Sequence, residues 1–236
     1  MRQASGAWTT APEQCIINRQ FGSGPVKSFL AIDASPVTGT GNIVLLVPGV
    51  ATKGTFGTAT MTVAPGNATL QQMWFARGSK DARAAIDIGI TQDGWAAMAA
   101  GDTLTIKGPF ASPVSVPIQG IAKAIAAAKT CGRTLLTSWG ADPDAMIDTS
   151  GPNNSGSWIS YSDYPPEALR NGESGTVKIL LTIDPKGRPR DCKVVVSSRS
   201  PSLDATTCRI MTARAKFEPS SRETRYVFKR TDWRVP

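Results

Sequence analysis

The stretch DYPPEALRNGESGTVKILLTIDPKGRPRDC, Asp163 to Cys192, decides how the second half of the chain folds. Tyr164-Pro165-Pro166 opens a short helix over Glu167, Ala168 and Leu169, since proline suits a first turn, where no intrahelical N–H is needed. Asn171-Gly172 stops that helix. Strict alternation follows: Val177, Ile179, Leu181 and Ile183 point one way, and Lys178, Thr182 and Asp184 the other, which is the period of a half-buried strand. Asp184-Pro185-Lys186-Gly187 reads as a tight turn, with proline setting φ and glycine taking the position that needs a positive φ. A second strand carries Cys192, Val194 and Val196. A helix then starts at Ser200-Pro201, and the seven-residue spacing of Leu203, Ile210 and Phe217 gives it one buried stripe. Arg225 to Val235 is a strand again, so the order is helix, strand, strand, helix, strand.

Working outward, the 236 residues have room for two modest domains. A hydrophobic share of 41% and a charged share of 19% are ordinary globular values and argue against general disorder. No run of eighteen apolar residues exists, so no helical membrane span is expected. Met1-Arg2-Gln3-Ala4 lacks the apolar core of a signal peptide, which leaves a cytoplasmic protein or one whose leader or anchor is absent from this sequence.

The four cysteines, Cys15, Cys131, Cys192 and Cys208, favour the second option. The chain has no histidine, which excludes a Cys/His zinc site, and no Cys-x-x-Cys occurs. Four separate buried thiols are one reading; two disulfides, one per domain, are the other. Cys192 shares a strand face with Val194 and Val196, the face that meets the helix carrying Cys208, so these two are expected to pair. Cys15 and Cys131 then tie the ends of the first domain. Such bridges persist in an oxidising compartment, which points to the periplasm.

The first 150 residues read as short strands separated by Gly/Pro turns. An early strand falls within Ala7 to Phe21, and further candidates are Ser28–Ile32, Asn42–Val47, Thr58–Val63, Leu70–Ala76, Ala84–Ile90 and Thr103–Lys107. This spacing predicts an antiparallel sandwich or barrel. Two helices interrupt it. One runs from Gln92 to Ala100, with Thr91 as cap and Gly101 as stop; the other runs from Gln119 to Cys131, with Ile121, Ile125 and Ala128 on one face. The small polar stretch 151–157 is the expected linker. The fold class is therefore α+β: a β-rich domain over residues 1–150 and an α-β-β-α-β domain over residues 158–236.

YPPEAL, followed by GTVKILLTIDPKGRPRDCKVV, SPSLDATTCRIMTARAKFEP and the closing YVFKRTDWRVP, resembles the C-terminal domain of TonB-family energy transducers. The resemblance covers about the last third of the chain. It implies a small periplasmic domain of a Gram-negative bacterium that grips a segment of an outer-membrane receptor by adding it as a strand. The residues placed at that contact are Tyr164 and Pro165, together with Arg225, Tyr226, Val227, Phe228, Lys229 and Arg230. Two structural readings stand beside this one: Tyr164 packs on the sheet, and Tyr226 to Arg230 is an ordinary sheet edge. The first domain, with its VSVPIQGIAKAIAAA run between Trp8, Cys15 and Cys131, resembles the periplasmic invasion-associated locus B family. Energy transducers normally carry an N-terminal membrane helix and a proline-rich spacer, and here a folded domain and a short linker stand in their place.

Catalysis has little to work with. Without histidine, Ser-His-Asp and Cys-His arrangements are excluded, and no phosphate loop, dinucleotide fingerprint or GxSxG occurs. Asp142, Asp144 and Asp148 do not have calcium-loop spacing, so a cap or a solvated loop is the expected role. No cofactor and no metal are expected. Net charge divides as +2 over residues 1–150 and +6 over residues 151–236. Arg225, Tyr226, Phe228, Lys229, Arg230, Trp233 and Arg234 interleave cations with rings, as single-strand nucleic-acid surfaces do. The cations fall on both strand faces, however, and the disulfides argue for a compartment without nucleic acid. The alternative function is an interaction module that dimerises edge to edge through the TonB-like unit while the first domain carries the binding.

Overall fold

The computed structural model describes residues 7–11, 15–22, 28–34, 41–48, 55–66, 68–78, 83–108, 113–149 and 158–235. The chain forms two compact units, Met1–Leu135 and Leu136–Pro236. The expected linker, 151–157, lies outside the described residues. Residues 136–149 belong with the C-terminal unit.

In the N-terminal unit, β1 (Thr9–Ala11), β2 (Ile16–Phe21), β3 (Ser28–Ala34), β4 (Gly41–Pro48), β5 (Thr55–Ala64), β6 (Ala68–Gly78), β7 (Arg83–Ile90), β8 (Thr103–Lys107) and β9 (Val114–Pro117) form one antiparallel sheet. Its order is β1-β2-β3-β4-β7-β6-β5-β8-β9. The expected β-rich unit with two helices is present, but its strands make one nine-stranded sheet rather than a closed barrel among the described residues. Period-two alternation places Leu30 and Ile32, Ile43 and Leu45, Met61 and Val63, Ile86 and Ile88, and Leu104 and Ile106 in a common core.

That core also takes Trp95 and Met98 from α1 (Gln92–Ala99) and Ile121, Ala124, Ile125 and Ala128 from α2 (Ile121–Ser138). Thr91 caps α1 as expected, its hydroxyl oxygen accepting from the Gly94 N–H. At Gly101 a Cβ would lie 2.1 Å from Val63 Cγ1, so the chain turns back onto β5 at a place only glycine fits. Cys15 is bonded to Cys131 across 116 residues. α2 does not stop at Cys131 but continues to Ser138, since nothing in Gly132 to Ser138 breaks a helix strongly enough before the Trp139-Gly140 turn.

The C-terminal unit follows the expected order. α3 (Pro166–Arg170), β10 (Gly175–Ile183), β11 (Pro189–Val196), α4 (Pro201–Arg214) and β12 (Arg225–Trp233) build a three-stranded antiparallel sheet, β11-β10-β12, with α4 against it. Val177, Ile179, Leu181 and Ile183 are fully buried against Leu203 and Met211 of α4. Ser200 caps α4 through the Leu203 N–H. The expected stripe is corrected at its end: α4 finishes at Arg214, and Phe217 lies in the extended segment beyond it. Phe217 is buried nonetheless, because its N–H donates to the Gly187 carbonyl and its ring meets Trp158 edge-on at 5.3 Å. Gly187, at φ +78°, permits that approach, since a Cβ there would come within 1.8 Å of the Phe217 carbonyl oxygen. Cys192 of β11 is bonded to Cys208 of α4, across 16 residues. Both bridges are the expected pairs.

Candidate partner-binding edge

β12 is the outer strand on one side of the three-stranded sheet, and its full length pairs with β10, from Gly175 with Trp233 to Ile183 with Arg225. Alternation divides its side chains. Val227, Lys229, Thr231 and Trp233 share the α4 face, where Val227 and Trp233 are buried. Tyr226, Phe228, Arg230 and Asp232 share the opposite face. There the Thr176 hydroxyl donates to Asp232 at 2.6 Å, and Arg230 and Arg234 pair with the same carboxylate at 3.1 and 3.8 Å.

A wall of residues 158–164 stands beside the α4-side face of β12. Tyr164 is buried, meets Trp233 edge-on at 5.2 Å, and donates its hydroxyl to the Glu173 carbonyl. Burial pushes its phenol upward. Asp163 takes both guanidinium nitrogens of Arg214, at 2.7 and 2.8 Å, and also accepts from the Ser160 N–H. The Arg214 hydrogen bonds and the Ser160 N–H hold the Asp163 carboxyl well below the usual carboxylate range. The Lys229 ammonium lies 5.6 Å from the centre of the Trp158 ring, and burial lowers its pKa. Between this wall and β12 opens a cleft of about 420 Å³, with Trp158, Tyr161, Lys229, Thr231 and Trp233 among its lining. Tyr161 is well exposed at its mouth. The cleft joins aromatic faces to cationic groups and runs alongside a strand edge, a combination suited to an extended peptide.

The other face and the outer edge of the sheet meet residues 136–149. The Trp139 ring stacks on Phe228 at 6.0 Å and 8°, and its carbonyl accepts from Lys193 at 3.2 Å. Phe228 and Lys193 are the two cross-strand neighbours of Leu180, which is buried although it points away from α4. Asp142 caps the 3-10 turn Pro143–Ala145, accepting from the Asp144 N–H at 2.8 Å, and the Asp144 carbonyl takes Arg222 at 2.8 Å. Met146 then forms a parallel bridge with Tyr226, and the Ile147 N–H donates to the Tyr226 carbonyl at 2.7 Å. The outer side of β12 is therefore already paired at Tyr226. Since hydrogen-bonding groups alternate sides along a strand, Phe228, Arg230 and Asp232 direct theirs the same way. Beyond the Met146 bridge, no strand pairs with that side among the described residues.

The structure brings Arg225 to Arg230 together on this strand and sets Tyr164 and Pro165 in the wall beside it. Their surroundings differ: Val227 and Tyr164 are buried, Pro165 is the N-cap of α3, Arg225 reaches back to the Glu218 carbonyl, and Phe228 lies under Trp139. Trp139, Ile147, Trp158 and Arg222 complete the site without having been singled out from the sequence. Trp139 and Ile147 sit in an aperiodic polar stretch, and only an aromatic ring standing alone in such a stretch hints at a docking role.

Fold and site together define a small α+β domain whose edge strand is bridged at Tyr226 and flanked by an aromatic cleft. Residues 160–231 match the family described as Gram-negative bacterial TonB protein C-terminal, a little under a third of the chain. The C-terminal unit thus contains a TonB-type C-terminal domain. No curated protein and no solved structure matches the chain.

Proposed function

We propose that this protein is a non-catalytic TonB-family component of the Gram-negative cell envelope. Its C-terminal unit takes an extended segment of an outer-membrane receptor as an added strand on β12, with side-chain fit in the neighbouring cleft selecting the receptor. The observation that carries this reading is that β12 closes the order β11-β10-β12 and already accepts an extended segment on its outer side at Tyr226. The family match supports it independently. Strand addition draws affinity from main-chain hydrogen bonds and selectivity from pockets for alternate side chains. The two disulfides support a periplasmic address, since such bonds persist in an oxidising compartment.

Arg230 provides the test, because its main-chain groups face outward and not toward β10. Arg230→Ala removes only the side chain, whereas Arg230→Pro also removes the outward N–H. Binding of a purified TonB-dependent receptor to Arg230→Pro should fall about tenfold below Arg230→Ala, as expected for one lost main-chain hydrogen bond with its local strand geometry. Equal binding by the two variants would remove this edge from consideration. Edge-to-edge pairing of two copies would use the same surface, and light scattering on the intact chain separates it from receptor binding.

A further inference from the structure

We propose that the segment Ala141–Thr149 is a built-in competitor for the β12 edge, so that a partner strand extending to Tyr226 must first displace it. The proposal rests on the strand-addition reading and names how that site is regulated. Four observations carry it. The segment is bound to the edge by main chain: Met146 bridges Tyr226 in parallel, and the Ile147 N–H donates to the Tyr226 carbonyl at 2.7 Å. An incoming strand would need that same carbonyl. Around that bond the segment is held by Arg222 on the Asp144 carbonyl, by burial of Ala141 and Ala145, and by Ile147 packed against the core, while the Trp139 ring just before it lies on Phe228. Its charge complements the edge: it carries Asp142, Asp144 and Asp148 with no cation, whereas the edge strand and its lead-in carry Arg222, Arg225, Lys229 and Arg230. Finally, it lies outside residues 160–231, the part of the chain that matches the family.

The arrangement divides the edge in two. Tyr226 is engaged by the segment, whereas the outward main-chain groups of Phe228 to Asp232 are paired by no strand among the described residues. A partner whose strand covers both portions binds with its intrinsic affinity reduced by the fraction of molecules in which the segment has left. Because β10, β11, β12 and α4 pair and pack with one another without the segment, its departure is a local event rather than global unfolding.

The test uses the intact protein and a synthetic peptide with the sequence of Ala141–Thr149, supplied in trans. Ile147→Pro removes the N–H that reaches Tyr226, and Ile147→Val keeps it with most of the side chain that packs on the core. The peptide should bind Ile147→Pro about tenfold more tightly than it binds wild type or Ile147→Val. In wild type, the Ile147 amide should exchange with solvent at least about tenfold more slowly than an unprotected amide. Arg222→Ala, which removes the hydrogen bond to the Asp144 carbonyl and leaves every main-chain group of β12 in place, should speed that exchange, and it carries the same peptide comparison if Ile147→Pro does not fold. Equal peptide affinity across these variants, or an unprotected Ile147 amide, overturns the proposal. Because the peptide comes from this chain, the outcome is independent of any receptor: loss of receptor binding in Arg230→Pro tests the proposed function, and peptide binding tests the competitor.

Discussion

The two units bury their sheets in different ways. Among the described residues the N-terminal unit has nine strands, and alternation along them assembles a core from one face, closed by α1 and α2. The C-terminal unit has three strands, too few for one covered face to give much margin. It covers both: α4 lies over Ile179 and Leu181, while Trp139 and its neighbours lie beside Leu180. The second cover reaches the edge strand, so in the small unit the demand for burial and the availability of a binding edge bear on the same residues.

The bridges give the first and largest test of that contrast. Each closes a loop within one unit, of 116 residues for Cys15–Cys131 and 16 for Cys192–Cys208. On the chain-entropy account, replacing Cys15 and Cys131 by serine should cost about 5 kcal/mol. Replacing Cys192 and Cys208 should cost about 3 kcal/mol. Urea unfolding of each variant, followed by amide exchange in β4 for the first unit and β10 for the second, assigns each loss to its unit. A loss that spreads equally to both units would break the division.

A smaller effect sharpens the claim that residues 136–149 belong to the C-terminal unit. Trp139→Ala removes the stack on Phe228 and part of the cover over Leu180, and should destabilise by about 1–2 kcal/mol. The loss should appear in β10 and β12 amides. If it appeared in the nine-stranded sheet instead, the assignment of this segment would fall.

The smallest effect is on acid stability. The C-terminal unit holds four carboxyls below their ordinary values: Asp163 through Arg214, Glu173 through the Ser200 hydroxyl, Asp184 through the Arg188 N–H, and Asp232, against the opposing effect of its burial, through Arg230. A folded pKa below the unfolded one contributes stability that is complete above the unfolded value, near 3.8 for Asp and 4.5 for Glu, and is lost as pH falls toward the folded value. The pairs sit at the surface, where the arginine partners of Asp163 and Asp184 are half exposed or more, so the contribution of each is modest. Melting of the C-terminal unit should therefore fall in temperature below about pH 4, and Asp163→Asn should flatten that decline. An unchanged acid limb in Asp163→Asn would mean that the Arg214 pair does not contribute to it.

The elements of both units follow from short-range chemistry. Val177 to Ile183 alternate in the sequence and in the structure, Thr91 and Ser200 cap the helices that they precede, and the Asp184–Gly187 turn joins the strands on either side of it. Each of these depends on residues within a few positions of one another, where steric limits and main-chain hydrogen bonding leave a small set of outcomes. The Cys192–Cys208 pairing is nearly as local, since one strand face and one helix face bring it about. The same reasoning failed at Phe217, because a seven-residue spacing does not reveal that a helix ends before its last member; the chain straightens there to reach Gly187.

What the amino-acid order left open was decided by distant contacts. Alternation marks β4, β5, β7 and β8 as strands, yet nothing local says that β4 pairs with β7 or that β5 pairs with β8. Trp139 and Ile147 belong to no periodic pattern, and their roles appear only when Phe228 and Tyr226, 89 and 79 positions onward, are folded beside them. Local pattern fixes which face of a strand is apolar, because that depends on each residue and its neighbours. Which segment covers that face, and which one reaches the edge, depends on burial summed over the whole unit, and that sum exists only once the chain has closed on itself.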